Sequence, residues 1–204
     1  MKNTKLIIAL ALALGLAACG NQPKTNESAT NGNASDTLAV TDKVQVSETP
    51  FDWDALKIGS VIPEKLDGFT IEPVTYMAEG EEQVKYAIKK EGELLVELEP
   101  DFDFESNSFT NTISVINIYS DQYQNEKSFH VGSNINDVLE AYPGMYTTHL
   151  FVDGNVYVSL DGIQFMVAPE DYAGKLPEIT SYEGAIIKQP AFKPEAKVKM
   201  IRMY

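Results

Sequence analysis

Cysteine and histidine are almost absent from this chain of 204 residues. Cys19 is its single cysteine, so no disulfide can form within one molecule. His130 and His149 are its two histidines, and neither has a cysteine at a spacing typical of zinc ligands. We therefore expect surface or hydrogen-bonded structural histidines, and we predict no metal and no cofactor.

Positive charge is also scarce. The chain has 16 basic and 30 acidic side chains, a net charge of −14, and residues 51–204 alone carry 12 basic against 26 acidic ones. Binding to a phosphate backbone needs a basic surface, and adhesion to anionic lipid needs one as well. The composition therefore argues against nucleic acid as a partner and against membrane contact through surface charge.

Aromatic residues are missing from residues 20–50, which are dense in Asn, Ser, Thr and Gly. Such a stretch cannot bury enough apolar surface to offset its chain entropy, so residues 19–50 are predicted to form a flexible tether. Residues 51–204 have the length of one domain and suffice for a hydrophobic core without disulfides. We predict a single globular domain there.

The apolar run near the start, residues 6–14, is too short to span a membrane. It follows Lys2 and Lys5 and precedes small residues, a pattern that predicts a removable export signal over residues 1–18. The chain is therefore expected to leave the cytoplasm.

The four residues Leu16-Ala17-Ala18-Cys19 resemble a bacterial lipobox. The resemblance implies that Cys19 becomes the mature N-terminus, diacylated on sulfur and acylated on nitrogen, so that lipid anchors the protein to a membrane of the bacterial cell envelope. Gly20 after the cysteine resembles the sorting signal for the outer membrane of a Gram-negative host. The alternative is an ordinary cleaved signal with an incidental cysteine.

A short internal repeat lies within the predicted domain. Residues 58–66, Ile-Gly-Ser-Val-Ile-Pro-Glu-Lys-Leu, align with residues 131–139, Val-Gly-Ser-Asn-Ile-Asn-Asp-Val-Leu. Each places a glycine and a serine ahead of a short amphipathic segment, and serine is a good helix N-cap. Gly59-Ser60 and Gly132-Ser133 are therefore predicted to start two short helices, in repeats that cover about residues 56–120 and 129–204.

Each repeat also contains four predicted strands. Alternating apolar residues and Asp-Gly or Glu-Gly turns place them at 71–76, 84–88, 94–98 and 113–119, and at 146–152, 155–160, 163–167 and 198–204. The sequence offset grows from 73 to 85 residues, so the second repeat is expected to hold an irregular insertion within residues 169–197. The predicted class is α+β: two tandem units of a short helix plus four antiparallel strands, which form one sheet with the helices on one face.

This organisation resembles the β-lactamase-inhibitor-protein architecture, and the Ile-Gly-Ser and Val-Gly-Ser openings resemble those of the SmpA/OmlA outer-membrane assembly lipoproteins. The segments Val115–Ser120 and His130–Ser133 resemble uncharacterised lipoproteins of Bacteroidetes-type bacteria. The resemblance covers most of residues 56–204. The inhibitor proteins have a disulfide in each unit, which this chain lacks, and none of their inhibitory-loop residues can be matched here, so inhibition of β-lactamase is not implied.

Residues 79–105 hold ten acids and three lysines. Asp101, Asp103 and Glu105 alternate along the chain, and clustered carboxylates suit calcium. A calcium-binding EF-hand loop from Asp101 would need Gly and Glu where Ser106 and Thr112 stand. The competing interpretation is a solvated strand face with Phe102 and Phe104 directed inward.

No catalytic signature accompanies these features. Ser133 does not stand in a Gly-x-Ser-x-Gly motif, and nothing singles out two carboxylates as a glycosidase pair. We therefore expect a non-enzymatic lipoprotein that binds another envelope protein through the open face of its sheet, where tyrosine side chains favour recognition. The alternative is binding of a small ligand or a carbohydrate on the same surface, and an enzyme ranks third.

Overall fold

The computed structural model describes residues 50–78, 80–181 and 184–204. Within these residues the chain forms a nine-stranded, wholly antiparallel sheet. None of the helices in this part of the chain is both long and apolar enough to cross a membrane. The predicted signal peptide, Cys19 and most of the predicted tether lie outside the described residues.

The strands are long in the first half of the sheet and short in the second. The first half contains β1 (Thr70–Ala78), β2 (Glu81–Lys90), β3 (Glu93–Asp103) and β4 (Ser108–Ile118). The second half contains α1 (Ile135–Ala141), β5 (Tyr146–His149), β6 (Val156–Leu160), β7 (Ile163–Val167), β8 (Ala185–Ile187) and β9 (Val198–Met203). Short 3-10 turns occur at Trp53–Ala55 and Pro169–Asp171.

The predicted α+β class is wrong, because the described chain is mostly β. Its one α-helix, α1, has seven residues, and no helix follows Ser60 in the first half. Pro63 disfavours helical geometry at Ile62, and Gly68 follows too soon for a helix to recover the cost of its first turn. Two helix-plus-sheet units therefore do not form.

The two Gly-Ser segments nevertheless make matching backbone hydrogen bonds. Gly59 N donates to Ile113 O and Gly132 N donates to Val198 O, both at 2.8 Å. Both glycines have a positive φ, +81° and +98°, which a residue with a Cβ rarely adopts. Each segment thus turns beside the last strand of its own half of the sheet.

Both serines close a turn instead of capping a helix. The backbone N–H groups of Lys57 and His130 donate to the hydroxyls of Ser60 and Ser133, at 3.3 Å and 2.9 Å. The N-cap of α1 is Asn134, whose side chain accepts from Asn136 N at 2.9 Å. Each serine hydroxyl therefore accepts a hydrogen bond from the residue three positions earlier in the chain. The helix starts one residue later than predicted.

The two halves of the sheet meet where β4 pairs with β9, and this pairing has a local two-fold symmetry. Asn117 faces Arg202, while Ile116 faces Met203 and Ile118 faces Ile201. Asn117 therefore pairs with Arg202, the residue 85 positions later. Ile116 and Ile118 each pair with the residue that lies 85 positions after the other. Because the strands run outward in the order 4-3-2-1 on one side and 9-7-6-5 on the other, both halves extend from the same centre.

One face of the sheet is buried beneath α1 and the surrounding loops. Ile135 and Val138 of α1 belong to the same apolar cluster as strand residues of both halves. Fully buried strand residues of that cluster include Val96, Leu98, Ile116, Ile118, Val158, Phe165 and Ile201. We call the opposite side the cleft face.

The predicted insertion is more regular than expected, because it contributes β8. This three-residue strand pairs with β5 at one end of the sheet. Gly184 permits the close approach of this segment to β5, since a Cβ at position 184 would lie only 2.4 Å from His149 O. At the other end β1 carries Pro73, a residue that sheets tolerate on edge strands.

Candidate functional site

Polar side chains form a row across the centre of the cleft face. Strand alternation places them opposite the apolar core, and the register aligns them from one strand to the next. In order they are Glu97, Asn117, Arg202, Gln164, Ser159 and Tyr146. We call this set the central row.

Glu97 is a charged residue with little exposure, since only 8% of its surface is accessible. Lys85 Nζ lies 2.6 Å from its Oε1, and the Tyr119 hydroxyl donates to its Oε2 at 2.8 Å. Burial of a carboxylate is costly unless it is paired and hydrogen-bonded. Both carboxylate oxygens of Glu97 are therefore satisfied by neighbours in the sheet.

Glu99 links the two halves of the molecule. Its Oε1 accepts from Asn117 Nδ2 at 2.8 Å, and its Oε2 lies 3.2 Å from Arg202 Nη2. Arg202 belongs to β9 and Glu99 to β3, so the ion pair spans β4. This pair and the Lys85–Glu97 pair together neutralise the centre of the face.

Tyrosine hydroxyls around this centre resist ionisation. Burial raises the pKa of Tyr119 far above its usual range, and the hydrogen bond to Glu97 raises it further. Burial also raises the pKa of Tyr157. The hydrogen bond that its hydroxyl donates to Asp153 Oδ2 at 2.5 Å raises that pKa further. Each hydroxyl is therefore a donor to a carboxylate and is poorly suited to act as a base.

The cleft face is concave. If the sheet were flat, β1 and β5 would lie about 34 Å apart, seven strand spacings. Yet Tyr76 and Met77 of β1 and Val152 of the β5–β6 turn line one cleft of about 830 Å³. The sheet must therefore curl until β1 and the β5–β6 turn approach each other.

A second hollow adjoins this cleft and shares Val152 with it. Its volume is about 520 Å³, and Asp153, Tyr157, Gln164, Arg202 and Tyr204 are among the residues that line it. The two hollows meet at Val152, and together we call them the cleft. Its floor includes Gln164 and Arg202 of the central row, and its walls come from both halves of the chain.

The rim of the cleft exposes large apolar side chains. Met77 is 67% exposed on one side, and Val152 is 76% exposed on the other. Tyr76 and Tyr204 are partly exposed beside them. Burial raises the pKa of Tyr204, and its hydrogen bond with Tyr146 adds to that effect. The rim thus combines apolar surface with tyrosine hydroxyls.

Two buried polar atoms of the central row lack a hydrogen-bond partner among the described residues. They are Asn117 Oδ1 and Ser159 Oγ, in residues that are 4% and 0% exposed. Unsatisfied buried groups are rare in folded proteins and reduce stability. The row therefore departs from the packing of an ordinary core.

The residues singled out from sequence lie elsewhere. Gly59, Ser60, Gly132 and Ser133 shape the turns beside β4 and β9, and they do not line the cleft. Cys19 lies outside the described residues, so its lipidation stays a prediction. Tyr146 joins the central row, whereas Phe51, Trp53 and Tyr123 form a separate aromatic cluster.

The acidic segment does not converge on a metal site. Asp103 accepts hydrogen bonds from the Ser106 hydroxyl and from Glu105 N, and the Ser106 contact is the main cause of its lowered pKa. Phe104 is 88% exposed in the β3–β4 turn, not directed inward as the competing interpretation supposed. Among residues 50–78, 80–181 and 184–204, no three His, Cys, Asp or Glu side chains are grouped to hold an ion.

The two histidines are separate and bound to backbone. His130 Nδ1 lies 2.8 Å from Val131 O. The ring nitrogens of His149 lie 3.2 Å from Pro177 O and 3.1 Å from Gly154 O. His149 therefore ties the turn at the rim of the cleft to the loop that precedes β8.

Sequence reasoning missed the residues at the centre of the cleft face. Lys85, Glu97 and Arg202 each stand between two apolar neighbours in a strand, which was the available signal. That signal could not show that the three side chains share one face, because Lys85 and Arg202 are brought together only by the pairing of β4 with β9.

No protein-family model matches the chain. No curated protein matches it. Among solved structures, the uncharacterized protein yfeY from Escherichia coli is similar with 14% sequence identity, over 68% of this chain and 81% of that chain, with a TM-score of 0.41.

Proposed function

We propose that this chain is a lipid-anchored protein of the bacterial cell envelope that binds a protein partner in its cleft and catalyses no reaction. The observation that carries the proposal is a broad depression whose rim exposes apolar side chains from both halves of the sheet. Protein interfaces combine an apolar, aromatic contact surface with polar groups that fix orientation. Lipidation at Cys19 would hold this surface at a membrane.

The polar floor also favours binding over chemistry. Lys85 is paired with Glu97 and Arg202 with Glu99, so the central charges are already satisfied by one another. The Tyr119 and Tyr157 hydroxyls are committed to carboxylates. A fixed, internally paired floor can orient a partner, whereas a catalytic group has to be available to its substrate.

A second candidate function is binding of a small ligand or a carbohydrate. The hollow of about 520 Å³ favours it, because Gln164, Arg202 and Asp153 stand there beside the rings of Tyr157 and Tyr204. Its size falls within the range of small-molecule sites. Because this hollow lies beside the larger one, with Val152 between them, a protein partner that spans both is the better fit.

The test places a photo-crosslinking amino acid at single positions of the full-length protein in its own envelope. Met77 and Tyr204 are the cleft positions, and the exposed residues Val61 and Phe104 outside it are the matched controls. We expect one protein adduct from both cleft positions and none of that mass from the controls. Equal adducts at all four positions would contradict the proposal, and a low-mass saccharide adduct would favour the second candidate.

A further inference from the structure

We infer that the segment held by this cleft is a polypeptide whose lysine or arginine side chains alternate with apolar ones. The inference rests on the proposed function, because it names the chemistry of the partner at the same surface. It follows from the charges that remain after the internal pairs of the cleft have been counted.

The cleft keeps carboxylates that no cation of the described chain neutralises. Glu97 and Glu99 are matched by Lys85 and Arg202. Glu81 lines the cleft, is exposed, and has no ion pair among the described residues. Asp153 lines it too, and its hydrogen bonds come from the neutral groups Tyr157 Oη and Asn155 N. With the ion pairs counted, Glu81 in one hollow and Asp153 in the other are the carboxylates left without a matching cation among the described residues.

Tyrosine rings add a second source of attraction for cations. The ammonium group of Lys85 lies 5.3 Å from the centre of the Tyr76 ring, so a lysine side chain already fits against this wall. Tyr157 and Tyr204 present further rings in the adjoining hollow. Apolar residues between the cations would contact Met77 and Val152 at the rim, which are both largely exposed.

The charge of the whole domain acts in the same direction. Residues 51–204 carry a formal charge of −14, which attracts a cationic segment over distances up to the screening length. The same charge disfavours a second copy of this chain as the occupant, because both surfaces would be negative. It disfavours nucleic acid for the same reason.

The probes are two synthetic peptides of about nine residues, long enough to cross the cleft when extended. One alternates lysine with valine and tyrosine, and the other has glutamate at every lysine position. Binding to the full-length protein in a zwitterionic detergent is measured by fluorescence anisotropy at low and high salt. We expect the lysine peptide to bind at least about tenfold more tightly, with a difference that shrinks as salt rises.

A charge-reversal pair locates the effect. Glu81 lines the cleft, whereas Glu105 is exposed in the β3–β4 turn and does not line it. Glu81→Lys should weaken the lysine peptide about two- to fivefold, the scale of one exposed charge contact. Glu105→Lys changes the net charge equally and should leave the affinity nearly unchanged.

Equal weakening by both variants would overturn the inference, because only net charge would matter. A preference for the glutamate peptide, or no binding of either, would overturn it as well. A neutral peptide of valine and tyrosine is the third probe: if it binds as tightly as the lysine peptide and Tyr204→Ala releases it, the cleft is a binding face but the inferred charge preference is wrong. A dimer that Tyr204→Ala dissociates would assign the cleft to a second copy and also overturn the inference, while the crosslinking experiment decides the proposed function separately.

Discussion

At the scale of single residues, the stability of the cleft floor depends on how Glu97 is satisfied. Its carboxylate is nearly buried and holds two contacts, one to Lys85 Nζ and one from the Tyr119 hydroxyl. Removing the Tyr119 hydroxyl leaves one lone pair of a buried charge without a donor. We expect Tyr119→Phe to lower the free energy of unfolding by about 1.5–3 kcal/mol, measured by urea denaturation.

Tyr123→Phe is the matched control. The Tyr123 hydroxyl contacts Met203 Sδ at 3.4 Å, and a thioether is a weak acceptor. Its removal should cost less than about 1 kcal/mol. Equal losses in the two variants would mean that the hydroxyl of Tyr119 contributes nothing specific to Glu97.

The position of Glu97 in a strand could be predicted from sequence, because Leu94–Leu98 has strand composition around it. Its role could not, since a charge inside an apolar strand is equally compatible with a solvated face. The distinction depends on Lys85, which belongs to β2 on one side of β3, and on Tyr119, which directly follows β4 on the other side. Local sequence carries no information on which side chain lies opposite in the sheet.

At the scale of elements, α1 depends on the residue after the predicted cap. Asn134 Oδ1 accepts from Asn136 N, and Asn134 Nδ2 donates to Pro194 O, so one side chain starts the helix and fastens the loop before β9. We expect Asn134→Ala to lower the free energy of unfolding by about 0.5–2 kcal/mol, the usual cost of a lost N-cap. Urea denaturation measures it.

Asn134→Asp separates the two contacts, because it keeps the capping oxygen and loses the donor to Pro194. It should recover most of the stability lost in the alanine variant. If Asn134→Asp is as unstable as Asn134→Ala, the contact with the loop matters more than the cap.

The Gly-Ser segments show why element starts were difficult to predict. A serine hydroxyl can cap a following helix or close the preceding turn, and a glycine just before it is compatible with both uses. At Ser60 and Ser133 the turn prevails, while Asn134 is present only in the second segment to start a helix. The two segments are similar in sequence because both form the same turn. That similarity wrongly indicated that both start a helix.

At the scale of the whole molecule, the strands of each half were predictable and the cleft was not. Alternation and Asp-Gly turns locate β5, β6 and β7 in the sequence. The cleft arises because the sheet curls, so that Met77 and Val152 from distant parts of the chain line one depression. Curvature accumulates from the twist of every strand pair, and no single segment encodes it.

The attachment of this molecule to a membrane is the remaining large-scale prediction. The motif Leu16-Ala17-Ala18-Cys19 predicts that thioether-linked lipid on Cys19 holds the mature chain. One acyl chain binds a bilayer marginally and two or more bind it firmly, so a triacylated Cys19 should be retained in the detergent phase. Cys19→Ala should incorporate no alkyne-labelled palmitate when both proteins are expressed with the label.

Fractionation alone would not decide the matter, because an unprocessed precursor keeps the apolar residues 6–14 and can sediment with membranes. The intact mass therefore accompanies the label: the wild-type protein should begin at Cys19 and carry the added mass of its lipid, and the alanine variant should show neither. Cys19→Ser is the closest control, since it keeps the size of the side chain and removes the sulfur to which the lipid would attach. Label retained in either variant, or an unmodified wild-type chain that begins elsewhere, would show that Cys19 is incidental and that the cleft acts without a lipid anchor.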